Sequence, residues 1–258
     1  KYWGKHGQQL PQNPSISFTL SRCVTTTAVS FSPREEGQEA FDFLFDQKKQ
    51  IEFHPKIQQF LERITPYFTA LEGHHLSILS HNSFPHSSGI ASSASAMAAL
   101  ALCIVDFEKQ FHPDWGGEDF LQKASFLARL GSGSASRSIG GPLMVWGQSK
   151  AFLQSNDQYA IAPAVEWNSI FHDYQDTVLI VDKGQKKVSS TLGHGLMQGH
   201  PFAGQRFEQA QSHLKELKAA LTSGDLERFI DLTEAEALTL HAMMMTSNSR
   251  FVLMQPNT

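Results

Sequence analysis

The stretch from Asn82 to Val105 constrains this chain more than any other. It runs Asn82-Ser83-Phe84-Pro85-His86-Ser87-Ser88-Gly89-Ile90-Ala91-Ser92-Ser93 and passes without a break into an Ala-, Met- and Leu-rich run from Ala94 to Val105. The absence of Gly and Pro favours a helix over Ser95–Phe107, and its apolar composition requires that helix to be buried. Leu76–Leu79 reads as a short strand ahead of it. A Ser/Gly loop is thus expected to lead from a strand into a core helix. A helix N-terminus carries unpaired backbone N–H groups and a partial positive charge, so such a loop can bind an anion without a lysine. Simple capping by serine explains the same residues, and local composition leaves both readings open. No Gly-Lys-Ser/Thr follows, which excludes a Walker P-loop.

With 258 residues, 41% of them hydrophobic and 18% charged, the chain can bury a sizeable core in one domain or two closely packed ones. Its longest apolar stretch falls far short of the ~20 residues a membrane span needs, so no membrane partner is expected. The two cysteines, Cys23 and Cys103, fit a reducing cytoplasm, where the chain is expected to reside. They form no C-x-x-C pair, the twelve histidines are scattered with no H-E-x-x-H, and no metal-ligating set is expected. A net charge of -4 offers no footprint for nucleic acid. Small molecules are the expected partners. The chain begins at Lys1 without a Met and stops soon after an apolar run, Phe251–Met254, that reads as a strand or buried helix end, so both termini are expected to continue.

No repeat, low-complexity tract or linker interrupts the chain. Ser15–Ser32 alternates apolar and polar residues with many Thr and Ser, as paired strands do. Helical patterns occupy Pro55–Tyr67, Gly117–Leu130, Gln205–Leu221 and Asp225–Met245. Gly141–Gly147 reads as a strand, and Thr177–Val181 as a buried one. Strands and helices in blocks favour an α+β fold over a doubly wound sheet.

Three further clusters carry chemistry. Arg129-Leu130-Gly131-Ser132-Gly133-Ser134-Ala135-Ser136-Arg137-Ser138 combines small residues that admit a ligand to the backbone with Arg137, whose guanidinium can hold a carboxylate or phosphate by two parallel hydrogen bonds. A flexible Gly/Ser connection would look similar, but the tract joins a helix to a strand with no spare length. A nucleophilic serine is disfavoured, because no G-x-S-x-G elbow occurs here. Lys1-Tyr2-Trp3-Gly4-Lys5 can point ammonium and phenol donors at a phosphate, although exposed lysines usually only solvate a surface. Val188-Ser189-Ser190-Thr191 is a hydroxyl-rich turn that, alone, reads as a cap.

Taken in order, Lys-Tyr-Trp-Gly-Lys, Pro14-Ser15-Ile16-Ser17, Phe84-Pro85 through Ser93-Ala94, Gly131 through Ser138, and Val188 through Thr191 resemble the diphosphomevalonate decarboxylases, a branch of the GHMP kinase superfamily. Leu240-His241-Ala242 followed by Thr246-Ser247 adds to the likeness. The resemblance implies a GHMP kinase-like α+β fold. An N-terminal ribosomal-protein-S5-like part, residues 1–165, would pack on a C-terminal part, residues 166–258, with the active site in the cleft between them. It implies ATP-dependent decarboxylation of mevalonate 5-diphosphate to isopentenyl diphosphate through phosphorylation of the 3-hydroxyl, with ADP, phosphate and CO2 released and Mg2+ accompanying ATP. It allows a homodimer.

The resemblance also distributes roles. Pro85, Ser87, Ser88, Gly89, Ser92 and Ser93 would cradle the ATP phosphates. Arg137 would hold the substrate carboxylate with Ser132 beside it. Tyr2, Lys5, Ser134 and Ser190 would bind the diphosphate tail, and Lys1 would lie near the transferred phosphoryl group. Lys1, Ser93 and Arg137 form the expected catalytic set. The family's aspartate, in an Asp-Ala-Gly-Pro-Asn motif, does not occur before Thr258, in keeping with a chain that continues. A small-molecule kinase that does not decarboxylate and a noncatalytic nucleotide-binding paralogue are the alternatives.

Overall fold

The computed structural model describes residues 1–68, 71–86, 89–179 and 190–254. Among them the chain order opens with β1 (Lys5–His6), β2 (Leu10–Pro11), β3 (Ser15–Phe18), β4 (Thr25–Pro33), β5 (Phe41–Phe45) and β6 (Lys48–Lys49). It continues through α1 (His54–Ile64), β7 (His74–Asn82), α2 (Ser92–Lys109), α3 (Gly117–Gly131) and β8 (Leu143–Trp146). Three helices follow: α4 (Ser190–Gly195), α5 (Ala203–Ser223) and α6 (Leu226–Met245). The mixture is α+β, as the strand and helix blocks predict.

The chain divides into two compact units. One consists of residues 19–141 with 158–160, the other of residues 1–18, 142–157 and 161 onward. The expected division at 165/166 groups the first eighteen residues with the phosphate loop, whereas compactness groups them with the later helices.

The 19–141 unit is built on one mixed sheet, in the order β4-β7-β5-β6. β4 and β7 pair antiparallel over nine residues, from Thr25 opposite Asn82 to Pro33 opposite His74. β5 joins β7 in parallel. Alternation sets the faces: Phe41 and Phe43 are buried while Asp42 is exposed, and Leu76 and Ile78 are buried while Ser77 is exposed. Asp46 and Gln47, at φ 49 and 62, make the two-residue turn between β5 and β6, both in the left-handed region that such a hairpin demands. Against the sheet lies the apolar stripe of α1, Ile57, Phe60, Leu61 and Ile64, together with Met97, Ala101, Ile104 and Val105 of α2 and Leu127, Ala128 and Leu130 of α3. Each fully buried side chain of this kind contributes roughly 1.5–3 kcal/mol. The small residues let the helices approach closely: a Cβ on Gly131 would sit 2.7 Å from Met97 Sδ and 2.9 Å from Phe60 Cδ2.

The other unit has two small antiparallel pairs, β1 with β2 and β3 with β8. Ser15 lies opposite Trp146, and Val145 also bridges Ile161. α5 and α6 form a helical hairpin that turns at Gly224, φ 83, with Asp225 capping α6 by accepting the Arg228 amide. Its core comes in smaller clusters. Leu143 packs with Phe171, Leu221 and Phe229; Trp3 packs with Met197, Met243 and Met244; Val145 packs with Phe152 and Leu214.

Two sequence expectations fail. Thr177, Val178 and Leu179 form no strand, and Leu179 is 82% exposed; Ile180 and Val181 lie outside the described residues. An apolar run is buried only where a neighbouring strand takes its hydrogen bonds, and none pairs with these three residues among those described. Phe251–Met254 is likewise irregular, with Val252, Leu253 and Met254 exposed. No described helix is long and apolar enough to cross a membrane.

Candidate active site

Within the 19–141 unit, α2 starts without the serine N-cap that the capping reading of the Ser-rich loop expects. α2 begins at Ser92, and its N-cap is Ala91, at φ 61, with no side-chain cap hydrogen bond. Ala94 and Ser95 donate their amides to Ala91 O, at 2.8 and 3.2 Å. The serines therefore do not close the helix end in the usual way, and an 18-residue helix presents its first amides and positive dipole end at the loop. Gly89, φ 93, and Ala91 both take left-handed backbone. For alanine this costs on the order of 1–3 kcal/mol and is kept where a loop must hold a particular shape. Pro85 and Gly89 lie in this loop, Ser92 is 9% exposed, and Ser93 is half-buried. Ser87 and Ser88 lie outside the described residues.

A cation accompanies this loop that the sequence does not announce. Lys56, on α1, donates its ammonium to Ser93 Oγ. Burial lowers the Lys56 pKa, so the site costs the lysine some hydration and a bound anion would restore its preference for the charged form. Nothing in His54-Pro55-Lys56-Ile57 marks it, because only the packing of α1 brings residue 56 to residue 93.

The Gly/Ser tract follows on α3 and packs against α2. Ser132 ends α3 and Gly133–Ser138 form a 3-10 turn, so the tract is no flexible linker. Gly133, Ala135 and Ser136 are buried, while Ser132, Ser134 and Arg137 are half-buried. The buried set anchors the turn: Ser136 Oγ donates to Gly133 O at 2.9 Å, and Ser125 Oγ donates to Ser136 O at 2.8 Å while accepting the Ala160 amide at 2.9 Å. The three residues assigned to substrate are thus among those left accessible, with Ser138 exposed beside them. Arg129 is a different matter. It is 1% exposed, donates to Gln158 O at 2.7 Å and stacks over Phe126, so it braces the turn. Gly131 serves helix packing, not ligand approach. This unit also has a surface depression of about 740 Å³ lined by Arg34, Glu36, Glu39, Gln58 and Glu72; it shares none of these site residues, and its acidity suits no phosphate.

In the other unit the Lys1–Lys5 segment is held by partners far along the chain. Tyr2 and Trp3 are 3% and 5% exposed. Tyr2 meets Trp146 edge-on at 4.8 Å and stacks on His194 at 4.6 Å. Asn13 accepts the Trp3 amide at 2.9 Å and donates to Lys1 O at 3.0 Å. Arg206 donates to Lys1 O at 2.8 Å and to both oxygens of Glu236, at 2.8 and 2.6 Å. Glu236 also meets His213 Nδ1 at 2.8 Å and the Lys1 backbone nitrogen at 2.5 Å. Burial pushes the Glu236 carboxyl up, but the Arg206 hydrogen bonds and positive charge outweigh it and hold the group below its ordinary value. Lys5 donates to Gln9 Oε1 at 2.8 Å. Ser190 opens α4, placing it four residues from His194; its side chain lies outside what is described, as do Val188 and Ser189. The structure therefore gathers Ser92, Ser93, Ser132, Ser134 and Arg137 around α2 in one unit, and Lys1, Tyr2 and Lys5 with α4 in the other.

Asn13, Lys56, His194 and Arg206 are the residues that motif reading passes over. Arg206 alone leaves a trace, a charge on the buried stripe of α5. Among the described residues no three His, Cys, Asp or Glu side chains group to hold a metal ion.

A family model described as the diphosphomevalonate decarboxylase-like N-terminal domain matches residues 1–160. The diphosphomevalonate decarboxylase of Candida albicans is 29% identical over 262 residues, covering 96% of this chain and 69% of that protein. That of Danio rerio is 29% identical, covering 95% of this chain and 61% of its own length. The crystal structure of mevalonate diphosphate decarboxylase from Staphylococcus aureus shares 30% identity at a TM-score of 0.79, covering 99% of this chain and 73% of that one. A structure of MDDEF in complex with MVAPP, AMPPCP and magnesium shares 25% identity, also at 0.79, covering 99% of this chain and 74% of that one. The chain spans 61% to 69% of the length of these two curated relatives. The fold is that of the GHMP kinase superfamily, and the chain belongs to the diphosphomevalonate decarboxylase-like family.

Proposed function

We propose that the protein containing this chain catalyses ATP-dependent decarboxylation of mevalonate 5-diphosphate to isopentenyl diphosphate, releasing ADP, phosphate and CO2. The observation that carries this reading is the pairing on α2 of a helix start without a side-chain cap, joined by Lys56, with the accessible Ser132, Ser134 and Arg137 of the adjoining turn. The first suits a nucleotide phosphate and the second a substrate carboxylate. The MVAPP and AMPPCP complex of a structural relative supports the same pair of ligands.

ATP supplies the phosphoryl group that converts a tertiary hydroxyl into a leaving group, and Mg2+ offsets the charge on its phosphates. The α2 amides, Ser92, Ser93 and Lys56 would hold those phosphates, with the Pro85–Ser93 loop around them. Mg2+ characteristically keeps waters and binds through phosphates with one or two carboxylates. Arg137 would grip the carboxylate in two parallel hydrogen bonds beside Ser132, keeping it ionised until its electrons move into the new double bond and CO2 departs. Tyr2, Lys5, Ser134 and Ser190 would retain the diphosphate tail, and Lys1 would stabilise charge near the transferred phosphoryl group. The N-terminal and C-terminal functional parts, residues 1–165 and 166–258, a cytoplasmic location and a homodimer belong to the same proposal.

Incubating the full-length protein with ATP, Mg2+ and mevalonate 5-diphosphate, with products identified by mass spectrometry, tests it. Isopentenyl diphosphate and CO2 in step with ADP are expected. A phosphorylated product that keeps its carboxylate would replace the reading with a kinase, and no ADP release would leave a nucleotide binder.

A further inference from the structure

We propose that His194 is a positioning residue that fixes the Lys1–Lys5 segment for diphosphate binding by accepting the Gly4 amide, its ring set in place against Tyr2. The inference rests on the assignment of Tyr2 and Lys5 to the diphosphate tail.

Gly4 is the pivot between those two residues. Its φ of +94 is a conformation that side chains rarely adopt, and a Cβ there would also press on Met197 Cβ at 3.2 Å. Glycine is therefore required, and a glycine left unheld would let Lys5 swing relative to Tyr2. On the Lys1 side, Asn13 fixes the Trp3 amide and Lys1 O. On the Lys5 side, the Gly4 amide donates 3.2 Å to His194 Nδ1 across 190 residues. An amide donor needs the Nδ1 lone pair, so the ring is held with its proton on Nε2. The face of that ring stacks on Tyr2 with centroids 4.6 Å apart and planes 17° from parallel. His194 is 9% exposed and sits on α4, the helix that Ser190 opens. One side chain thus ties the backbone of the Lys-Tyr-Trp-Gly-Lys segment and the ring of Tyr2 to the helix bearing the assigned serine.

Two substitutions in the full-length protein separate positioning from mere support of the core. His194→Asn places Oδ1 where Nδ1 sits and keeps an acceptor for Gly4; His194→Leu keeps bulk and removes the acceptor. Thermal unfolding checks that each is folded, and His194→Gln, whose oxygen reaches one bond further out, replaces the leucine variant should that not fold. Calorimetry with inorganic diphosphate and steady-state kinetics with both substrates are then measured. His194→Leu is expected to weaken inorganic diphosphate about tenfold and raise the KM for mevalonate 5-diphosphate by about the same factor, as one lost hydrogen bond would. The KM for ATP should stay within about twofold, and His194→Asn within about threefold of wild type on every measure. Equal losses in the two variants, a parallel rise in both KM values, unchanged binding in His194→Leu, or no diphosphate binding by the wild type would overturn the inference. If the wild type binds diphosphate but releases no CO2, the decarboxylase reading fails while calorimetry still decides the role of His194.

Discussion

The Gly133–Ser138 turn and the Lys1–Lys5 segment are both assigned to the substrate, yet they are held in opposite ways. The turn is secured locally: Ser136 reaches Gly133 three residues away, and Ser125 reaches Ser136 eleven away. The segment is secured from afar, by His194, Arg206 and Glu236, at separations of 190, 205 and 235 residues. A local turn can be altered at its exposed side chains without loosening its frame. A segment tethered from afar inherits the stability of everything that holds its tethers.

That contrast predicts which variants lose stability and which lose only chemistry. Glu236→Ala should have the largest effect, because it strands the buried Arg206 guanidinium, whose side chain is 3% exposed. Breaking such a pair costs about 3–5 kcal/mol, to be read from denaturant unfolding, and Lys1–Lys5 should become accessible to protease. Because Glu236 is held below the ordinary 4.5, its contribution should be complete above pH 4.5 and be lost progressively as pH falls below that. Acid unfolding of wild type beside Glu236→Ala checks this, and parallel curves would refute it.

Arg137→Ala should break the chemistry while sparing the fold. Turnover in an ADP-release assay should drop by about two to three orders of magnitude, with the unfolding midpoint nearly unchanged. Gly131→Ala should do the reverse. Its new methyl meets Met97 and Phe60, so destabilisation of about 1–3 kcal/mol is expected, with turnover preserved at a temperature where the variant is folded. Lys56→Met gives the smallest effect, a rise of about tenfold in the KM for ATP with that for mevalonate 5-diphosphate unmoved, as expected of one charge-assisted hydrogen bond at the phosphate loop.

The same contrast explains what the sequence reveals. The turn, the Ser-rich loop and α2 are legible because their residues are neighbours: small apolar residues make the helix, Gly89 and Gly133 allow the loops, and Arg137 stands inside its own motif. The helical pattern of α1 and the Leu76–Leu79 part of β7 are legible for the same reason, whereas the short β5, Phe41–Phe45, is not. Lys1-Tyr2-Trp3-Gly4-Lys5 is legible as a string but not as a shape, since what holds it lies on α4, α5 and α6. Lys56 is opaque because its role arises from a helix packed beside another. Thr177–Leu179 misleads because an apolar run states a preference for burial but names no neighbour to satisfy it.

The threading of the two units through the chain bears on how the protein is made. The 19–141 unit needs only 158–160 to be complete, so it can condense while the rest is still being synthesised. The first eighteen residues have no such opportunity. Strand β3 waits for β8, 131 residues on, and Lys1–Gly4 waits longer still, for α4 to α6. The Lys1–Lys5 segment is thus among the last to be housed, and Tyr2 and Trp3 are apolar surface exposed throughout that delay.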